Sequence, residues 1–211
     1  MNIREQMDRI YGSMSLDEIP WHVAEPPALL REAVATETIK PCRAVDLGCG
    51  AGSHAVWLAT QGFDVTGFDI SSEAIRLASS LAAREGVSCT FETVDLLQGA
   101  PDSAECFDFA YDWEVLHHVF PEDRPRYLES VRGLLRPGGR YLSVCFADSD
   151  ASFGGEGRFR NTSLGTRLYF SSESELRALF SRYFVIDDLR TQEIPGKRGP
   201  HQAVVARLHK G

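Results

Sequence analysis

The stretch Ala44-Val45-Asp46-Leu47-Gly48-Cys49-Gly50-Ala51-Gly52 constrains this chain more than any other. An apolar run of strand length holds a carboxylate near its end, opens into three alternate glycines and continues into the helical pattern of Ser53–Gln61. A strand–turn–helix passage of this kind belongs to an open α/β sheet, where ligands bind at the carboxyl ends of the strands. Glycine in the turn admits positive φ and lets the main chain come close to a ligand. A tight turn that binds nothing would use glycine too. Asp46 tips the balance, because a carboxylate entering the turn loses hydration and needs donors there.

The alternation continues downstream. Strands are expected at Arg43–Leu47, Asp64–Phe68, Ser88–Val94, Phe107–Tyr111 and Arg140–Ala147. Between them Ala74, Ile75, Ala78, Leu81 and Ala82, and later Tyr127, Leu128, Val131, Leu134 and Leu135, recur at helical spacing. Ser71 or Ser72 can cap the first of these helices, and Arg136-Pro137-Gly138-Gly139 breaks the second. Ahead of the glycine turn, residues 1–19 begin as a helix and break at Ile19-Pro20-Trp21, and Pro26-Pro27 opens a helix reaching about Lys40. After the fifth strand come a loop over Asp148–Thr166, a helix over Ser172–Ser181 and two strands, Tyr183–Asp188 and Ala203–Leu208. Those last two are joined through Pro195-Gly196 and should pair antiparallel. The expected fold class is α/β, a doubly wound and mostly parallel sheet with an antiparallel C-terminal edge.

Several function classes recede on charge and composition. Acidic residues outnumber basic ones, 30 against 22, for a net charge of −8. Neutralising phosphates needs clustered Lys and Arg, so a nucleic-acid partner is not expected, nor is an anionic membrane surface. No apolar run reaches the roughly 18 residues of a spanning helix, and Met1–Gln6 lacks a basic-then-apolar leader pattern. A cytoplasmic location follows as the expectation. Cysteines 42, 49, 89, 106 and 145 are odd in number and form no C-x-x-C pair, so neither a zinc site nor a disulfide framework is expected.

Two further carboxylates stand where the second and third strands end. Asp69 can accept hydrogen bonds from both hydroxyls of a ribose, each charge-assisted bond contributing roughly 1.5–3 kcal/mol, or it can cap the helix that follows. It would do so for a nicotinamide dinucleotide and for an adenosyl ligand alike. Asp95 is placed to take an adenine amino group, or merely to start a loop. A dinucleotide fingerprint needs Gly-x-Gly-x-x-Gly, and counting from Gly48 and Gly50 puts Ser53 at the third glycine. No Tyr-x-x-x-Lys pair accompanies the turn, so a nicotinamide-dependent oxidoreductase fits less well.

The Asp46–Gly52 turn, Asp69, Asp95 and Leu135-Arg136-Pro137-Gly138-Gly139 before the fifth strand together resemble the class I S-adenosylmethionine-dependent methyltransferases over roughly residues 40–147. The resemblance implies a seven-stranded sheet whose last strand is antiparallel, and S-adenosyl-L-methionine as cofactor. It further implies that Gly48, Cys49 and Gly50 line the methionine end, that Asp69 holds the ribose, that Asp95 and Leu96 hold the adenine, and that Asp46 belongs to the cofactor-binding set. Ile70 would pack on the adenine face. Pro20-Trp21-His22 ahead of Glu25-Pro26-Pro27 is similar to the N-terminal cap of thiopurine, halide, thiol and tellurite methyltransferases. On that likeness residues 1–40 form a helical lid, with Tyr11 and Trp21 facing the cofactor, over a methyltransferase domain of residues 41–211. Trp21 would stack near the sulfonium, or simply pin the N-terminal segment to the core.

Methyl transfer asks the protein to align donor and acceptor and to exclude water. A base is needed only where the acceptor carries a proton. Tyr111-Asp112-Trp113-Glu114-Val115-Leu116-His117-His118 follows the fourth strand. The resemblance puts Asp112 near the ammonium of the methionine moiety, and His117 is the candidate general base, set against a buried structural role. Adjacent histidines point apart on a helix, so no metal site is expected. The segment from Phe153 to Arg160 reads as a glycine-rich loop, either folded over a site with Arg158 or Arg160 available to an anionic acceptor, or simply solvated. The expected function is methyl transfer to a small-molecule acceptor, with a cofactor-binding regulator as the non-catalytic alternative. Neither the acceptor nor an oligomeric state is legible.

Overall fold

The computed structural model describes residues 2–36, 38–101, 106–151, 157–197 and 199–211. The chain divides into two compact units, Met1–Asp95 with Phe107–Phe109, and Leu96–Cys106 with Ala110–Gly211.

In the first unit, α1 (Ile3–Ser13) starts on a reciprocal cap. The Glu5 N–H donates to Asn2 Oδ1 (2.9 Å) and the Asn2 N–H donates to Glu5 Oε2 (3.2 Å), which satisfies two end groups that a helix leaves open. Its apolar stripe buries Met7, Ile10 and Tyr11. The second helix, α2 (Ala28–Ala35), follows Pro27 and stops at Thr36, whose hydroxyl turns back on the Glu32 carbonyl. It is therefore shorter than the helix to Lys40 that the sequence pattern predicts. Strands β1 (Arg43–Leu47), β2 (Asp64–Asp69) and β3 (Cys89–Thr93) run parallel, with Asp46 opposite Gly67 and Asp69 opposite Thr93. The crossover helices are α3 (Ser53–Thr60) and α4 (Ser72–Glu85). Ser71 caps α4, accepting from the Ala74 N–H, and Gly86 ends it in a left-handed turn. The buried stripe of α4 is Ala74, Ala78 and Ala82, residues small enough to let the glycine turn come close.

Strand β4 (Phe107–Trp113) begins in the first unit and ends in the second. The second unit continues with α5 (Arg124–Leu134), β5 (Leu135–Phe146), a hairpin of β6 (Phe159–Asn161) and β7 (Arg167–Tyr169), α6 (Glu173–Phe180), β8 (Val185–Ile194) and β9 (His201–His209). The sheet has seven strands in the order β3-β2-β1-β4-β5-β9-β8, and the hairpin forms a separate pair. β9 runs antiparallel to both β5 and β8 and so lies between them, with a register shift between Ile186 and Asp188.

Three further features differ from the sequence expectation. β5 starts at Leu135 and includes Pro137-Gly138-Gly139, because the Gly138 N–H donates to the Lys210 carbonyl and the Lys210 N–H to that of Gly139. The late strands are longer than predicted, because each supplies the other's hydrogen bonds along Val185–Ile194. The expected loop 148–166 contributes strand β6, which pairs Phe159 with Tyr169 of β7. Along β5, Tyr141 to Phe146 are all buried, and each large apolar side chain withdrawn from water contributes about 1.5–3 kcal/mol. No helix of the described residues is long and apolar enough to cross a membrane.

Candidate functional site

The glycine turn is built by β2 as much as by its own sequence. The Gly48 and Cys49 N–H groups both donate to the Phe68 carbonyl (2.7 and 2.9 Å), which folds the chain over the end of β2. Gly48, Gly50 and Gly52 all have positive φ, at 73°, 52° and 82°. Asp69 ties the two crossovers together. Its Oδ2 accepts from the Gly50 N–H and its Oδ1 from the Ser71 N–H, each at 2.9 Å. The Ile70 amide donates to the same carboxylate, and three donors on two oxygens still leave capacity for a further hydrogen bond. Burial raises the Asp69 pKa, partly offset by the Ser71 and Gly50 amides.

The glycines differ in what their missing side chains make room for. A Cβ on Gly52 would meet the Ala78 Cβ at 2.7 Å and the Phe91 ring at 3.1 Å, so Gly52 serves the packing of the turn on α4 and β3. A Cβ on Gly50 would lie 2.6 Å from the Tyr11 hydroxyl. Gly50 therefore keeps open the strip of main chain beneath Tyr11. Cys49 is buried, and a Cβ on Gly67 would stand 2.9 Å from its sulfur. Burial, with the charges of Asp46 and Asp69, pushes that thiol well above its ordinary pKa. It is held as a neutral packing group.

Tyr11 comes to this turn because α1 is anchored on the start of α4. Asp8 Oδ1 accepts from the Ser71 hydroxyl (2.7 Å), the Ser72 hydroxyl (3.3 Å) and the Glu73 N–H (3.3 Å). A carboxylate at a helix N-terminus meets unpaired N–H groups and the positive end of the dipole. Trp21 Nε1–H donates to the Tyr11 hydroxyl (2.9 Å), and the two rings meet edge to face. Burial and the Asp69 charge raise the Tyr11 phenol far above its usual range, so it stays protonated. Asp46 is buried at the end of β1, and Ile70 and Asp95 are half-buried at the ends of β2 and β3. The Val94 N–H donates to the Asp69 carbonyl (2.8 Å), which brings the exit of β3 beside Asp69. Asp8 is the residue of this cluster that sequence reasoning missed, since 63 residues separate it from its partner Ser71.

In the second unit, Leu96 is buried and its carbonyl accepts from the Ser130 hydroxyl (2.7 Å). Asp112 is fully buried. Its carboxylate accepts from the hydroxyls of Tyr141, Ser143 (3.2 Å) and Tyr127 (3.4 Å), and so is committed to the protein's own groups. Burial pushes its pKa up to about 6, against the pull of those same hydroxyls. His117 is 3% exposed, stacks on Phe146 with ring centroids 4.5 Å apart, and has no hydrogen-bond partner at Nδ1 among the described residues. Burial, then the charges of His118, His201 and Arg124, hold it far below its ordinary pKa as a neutral imidazole.

Of the loop expected over a site, 153–156 lie outside the described residues. Its arginines are not free cations. Arg160 is buried, donates to the carbonyls of Asp148, Asp150 and Gly157, and lies over the Phe170 ring. Arg158 pairs with Glu175 and donates to the Tyr169 hydroxyl. Sequence reasoning also passed over the contact of His201 Nε2 with Glu114 Oε1, at 2.8 Å. Among the described residues no His, Cys, Asp or Glu cluster has the geometry of a metal site.

Residues 44–139 match a family model described as a methyltransferase domain. The 2-heptyl-1-hydroxyquinolin-4(1H)-one methyltransferase of Mycobacteroides abscessus is 24% identical over 193 residues, 89% of this chain and 80% of that one. A chain solved in work on the conversion of a disulfide bond into a thioacetal group during echinomycin biosynthesis superposes with a TM-score of 0.84 at 23% identity, covering 99% of this chain and 92% of that one. The 1,6-didemethyltoxoflavin-N1-methyltransferase of Burkholderia thailandensis, solved with 1,6-didemethyltoxoflavin and S-adenosylhomocysteine, superposes at 0.67 with 26% identity, covering 87% and 79%. The chain spans only 39% and 41% of the length of the curated relatives that it matches first, over stretches 32% and 35% identical.

Proposed function

We propose, from the premise that this chain belongs to the class I S-adenosylmethionine-dependent methyltransferases, that it transfers a methyl group from S-adenosylmethionine to a small heteroaromatic acceptor bearing an O–H or N–H. Two relatives carry the acceptor part of this reading, since their names give a hydroxyquinolinone and the N1 of a didemethyltoxoflavin as substrates. The cofactor part rests on one observation. Asp69, fixed by the Gly50, Ser71 and Ile70 amides, closes β2 beside the glycine turn and keeps acceptor capacity for a ribose hydroxyl.

In this reading Asp69 holds the ribose, and Gly48, Cys49 and Gly50 offer main chain to the methionine end. Asp46 supports that strip from the end of β1. Ile70 covers one adenine face, and Asp95 and Leu96 take its edge. Tyr11 and Trp21 close over the sulfonium, a cation–π contact worth about 0.5–2 kcal/mol. Residues 1–40 act as a lid on a domain of residues 41–211. Asp112 acts from inside the fold rather than by touching the ammonium, and His117 serves as a neutral wall. A cytoplasmic location and the absence of a nucleic-acid or membrane partner complete the proposal. Bound donor supplies an electrophilic methyl group, and the chain aligns the acceptor and excludes water.

Calorimetry with S-adenosylmethionine and S-adenosylhomocysteine tests it. Both should bind with micromolar affinity, and failure of both to bind at millimolar concentration rejects the reading.

A further inference from the structure

Asp8 and Tyr11 stand three residues apart on α1, so their side chains share one face of the helix. Each meets a different donor to Asp69. Asp8 Oδ1 accepts from the Ser71 hydroxyl (2.7 Å), and the N–H of that same serine donates to Asp69 Oδ1 (2.9 Å). The Tyr11 hydroxyl lies over Gly50, 2.6 Å from the place where a Cβ would start, and the Gly50 N–H donates to Asp69 Oδ2 (2.9 Å). One face of α1 thus rests on the residues that hold both oxygens of the carboxylate.

Ser71 is the joint of this arrangement. It is fully buried, and each of its polar groups serves a different element. Its hydroxyl donates to α1 and accepts from the Ala74 N–H of α4 (3.2 Å), while its N–H goes to the end of β2. The approach of α1 to α4 is close here. The same Asp8 oxygen takes the Ser72 hydroxyl and the Glu73 N–H, and a Cβ on Gly12 would lie 3.6 Å from Glu73 Cγ. Two carboxylates therefore share one buried serine. They also sense each other directly: burial first, and then the Asp8 charge, raise the Asp69 pKa against the pull of its amide donors.

We propose that Asp8 is a positioning residue for the ribose of the methyl donor, acting through Ser71 on Asp69; this rests on the methyltransferase reading above. Docking of α1 and recognition of the ribose are then one coupled event, and each favours the other by the same factor. Asp8 acts without touching the ligand. Its loss frees the Ser71 hydroxyl and the first turn of α4, so the amide on Asp69 Oδ1 no longer has a fixed place. The cost falls on the hydroxyl that Asp69 reads, and not on the adenine or methionine ends.

The test is calorimetry on the full chain with S-adenosylhomocysteine and with its 2′-deoxy and 3′-deoxy analogues. The wild type should prefer S-adenosylhomocysteine at least tenfold over the weaker-binding analogue, the worth of one charge-assisted hydrogen bond. Asp8→Asn should narrow that preference to threefold or less, while its affinity for the analogue stays within twofold of the wild type's. Ser71→Ala removes the hydroxyl and leaves the amide, and should narrow the preference likewise. Adding Asp8→Asn to it should narrow the preference no further, as for two residues on one route. Reciprocally, saturating S-adenosylhomocysteine should slow amide exchange over Met7–Tyr11 at least fivefold in the wild type and less than twofold in Asp8→Asn. A purely structural Asp8 would lower affinity for all three ligands by one common factor. That result, a wild type that does not distinguish the ligands, or additive effects in the double variant would overturn the proposal. If Ser71→Ala fails to fold, Asp8→Asn decides alone, through the preference and the exchange. Absent binding of S-adenosylhomocysteine by the wild type removes the methyltransferase reading, whereas normal binding with an undiminished preference in Asp8→Asn removes this inference alone.

Discussion

The Tyr11 hydroxyl stands 2.6 Å from the place where a side chain on Gly50 would begin, whereas Gly52, two residues on, faces the Ala78 Cβ at 2.7 Å and its Cα at 3.0 Å. One glycine looks onto the end of a side chain that can move, the other onto a helix that cannot. Alanine at either position must hold a left-handed backbone, at a cost of about 1–2 kcal/mol. Gly52→Ala carries a packing clash in addition and should lower stability more than Gly50→Ala, by roughly 1–3 kcal/mol. Gly50→Ala should have the larger effect on S-adenosylhomocysteine affinity relative to its stability loss. Urea unfolding and calorimetry on both variants check the ordering, and identical profiles would dismiss the division of roles.

Asp69→Ala should weaken binding of S-adenosylmethionine at least tenfold. The same change strands the Gly50 and Ser71 N–H donors, at about 1–3 kcal/mol for each buried group left without a partner. Asp69→Asn separates the two effects, because its amide nitrogen must face one of those donors while its shape is retained. Calorimetry should show weakened binding in both variants, and an unchanged affinity in Asp69→Ala would remove Asp69 from the ribose role.

The parts of this site that are legible in the sequence are those carried by adjacent residues. The Asp46–Gly52 turn and Asp69 announce themselves because a strand end, a turn and a helix start each have a local chemical signature. Asp8 cannot be read, since nothing in Arg4–Asp8–Tyr11 indicates that the carboxylate will find Ser71 at the far end of a crossover. Pro137-Gly138-Gly139 reads as a breaker and is strand, because Lys210 supplies its hydrogen bonds. The hairpin of Phe159–Asn161 and Arg167–Tyr169 escapes because three residues are too few to show an alternation.

Asp8 also predicts how the N-terminal helix responds to acid. Burial would raise its pKa, but hydrogen bonds from Ser71, Glu73 and Ser72 outweigh this and lower it below 3.8. A depressed carboxylate stabilises the fold above its ordinary pKa and loses that contribution as pH falls through the folded value. Asp8→Asn should cost about 0.3–1 kcal/mol at neutral pH, the usual worth of a charge at a helix N-terminus. The gap between variant and wild type should close toward pH 3. Thermal unfolding at pH 7 and pH 3 checks it, and a gap that widens in acid contradicts the assignment.

Asp112 has the opposite sign. With a pKa pushed up to about 6 by burial, against an ordinary 3.8, its native state holds a proton that the unfolded chain has already released. Below pH 4 both states are protonated and the group is neutral to stability. As pH rises from about 4 to 6 the unfolded state is increasingly favoured, and above 6 the full penalty applies, on the order of 3 kcal/mol. Asp112→Asn removes the ionisation while keeping the shape between Tyr141, Ser143 and Tyr127, whose hydroxyls can rotate to meet an amide. Wild type should therefore lose ground to Asp112→Asn between pH 4 and pH 7 in urea unfolding curves. A difference that stays flat across this range would mean that the three hydroxyls hold the carboxylate ionised throughout, and that Asp112 anchors the inner face of β4 as an anion.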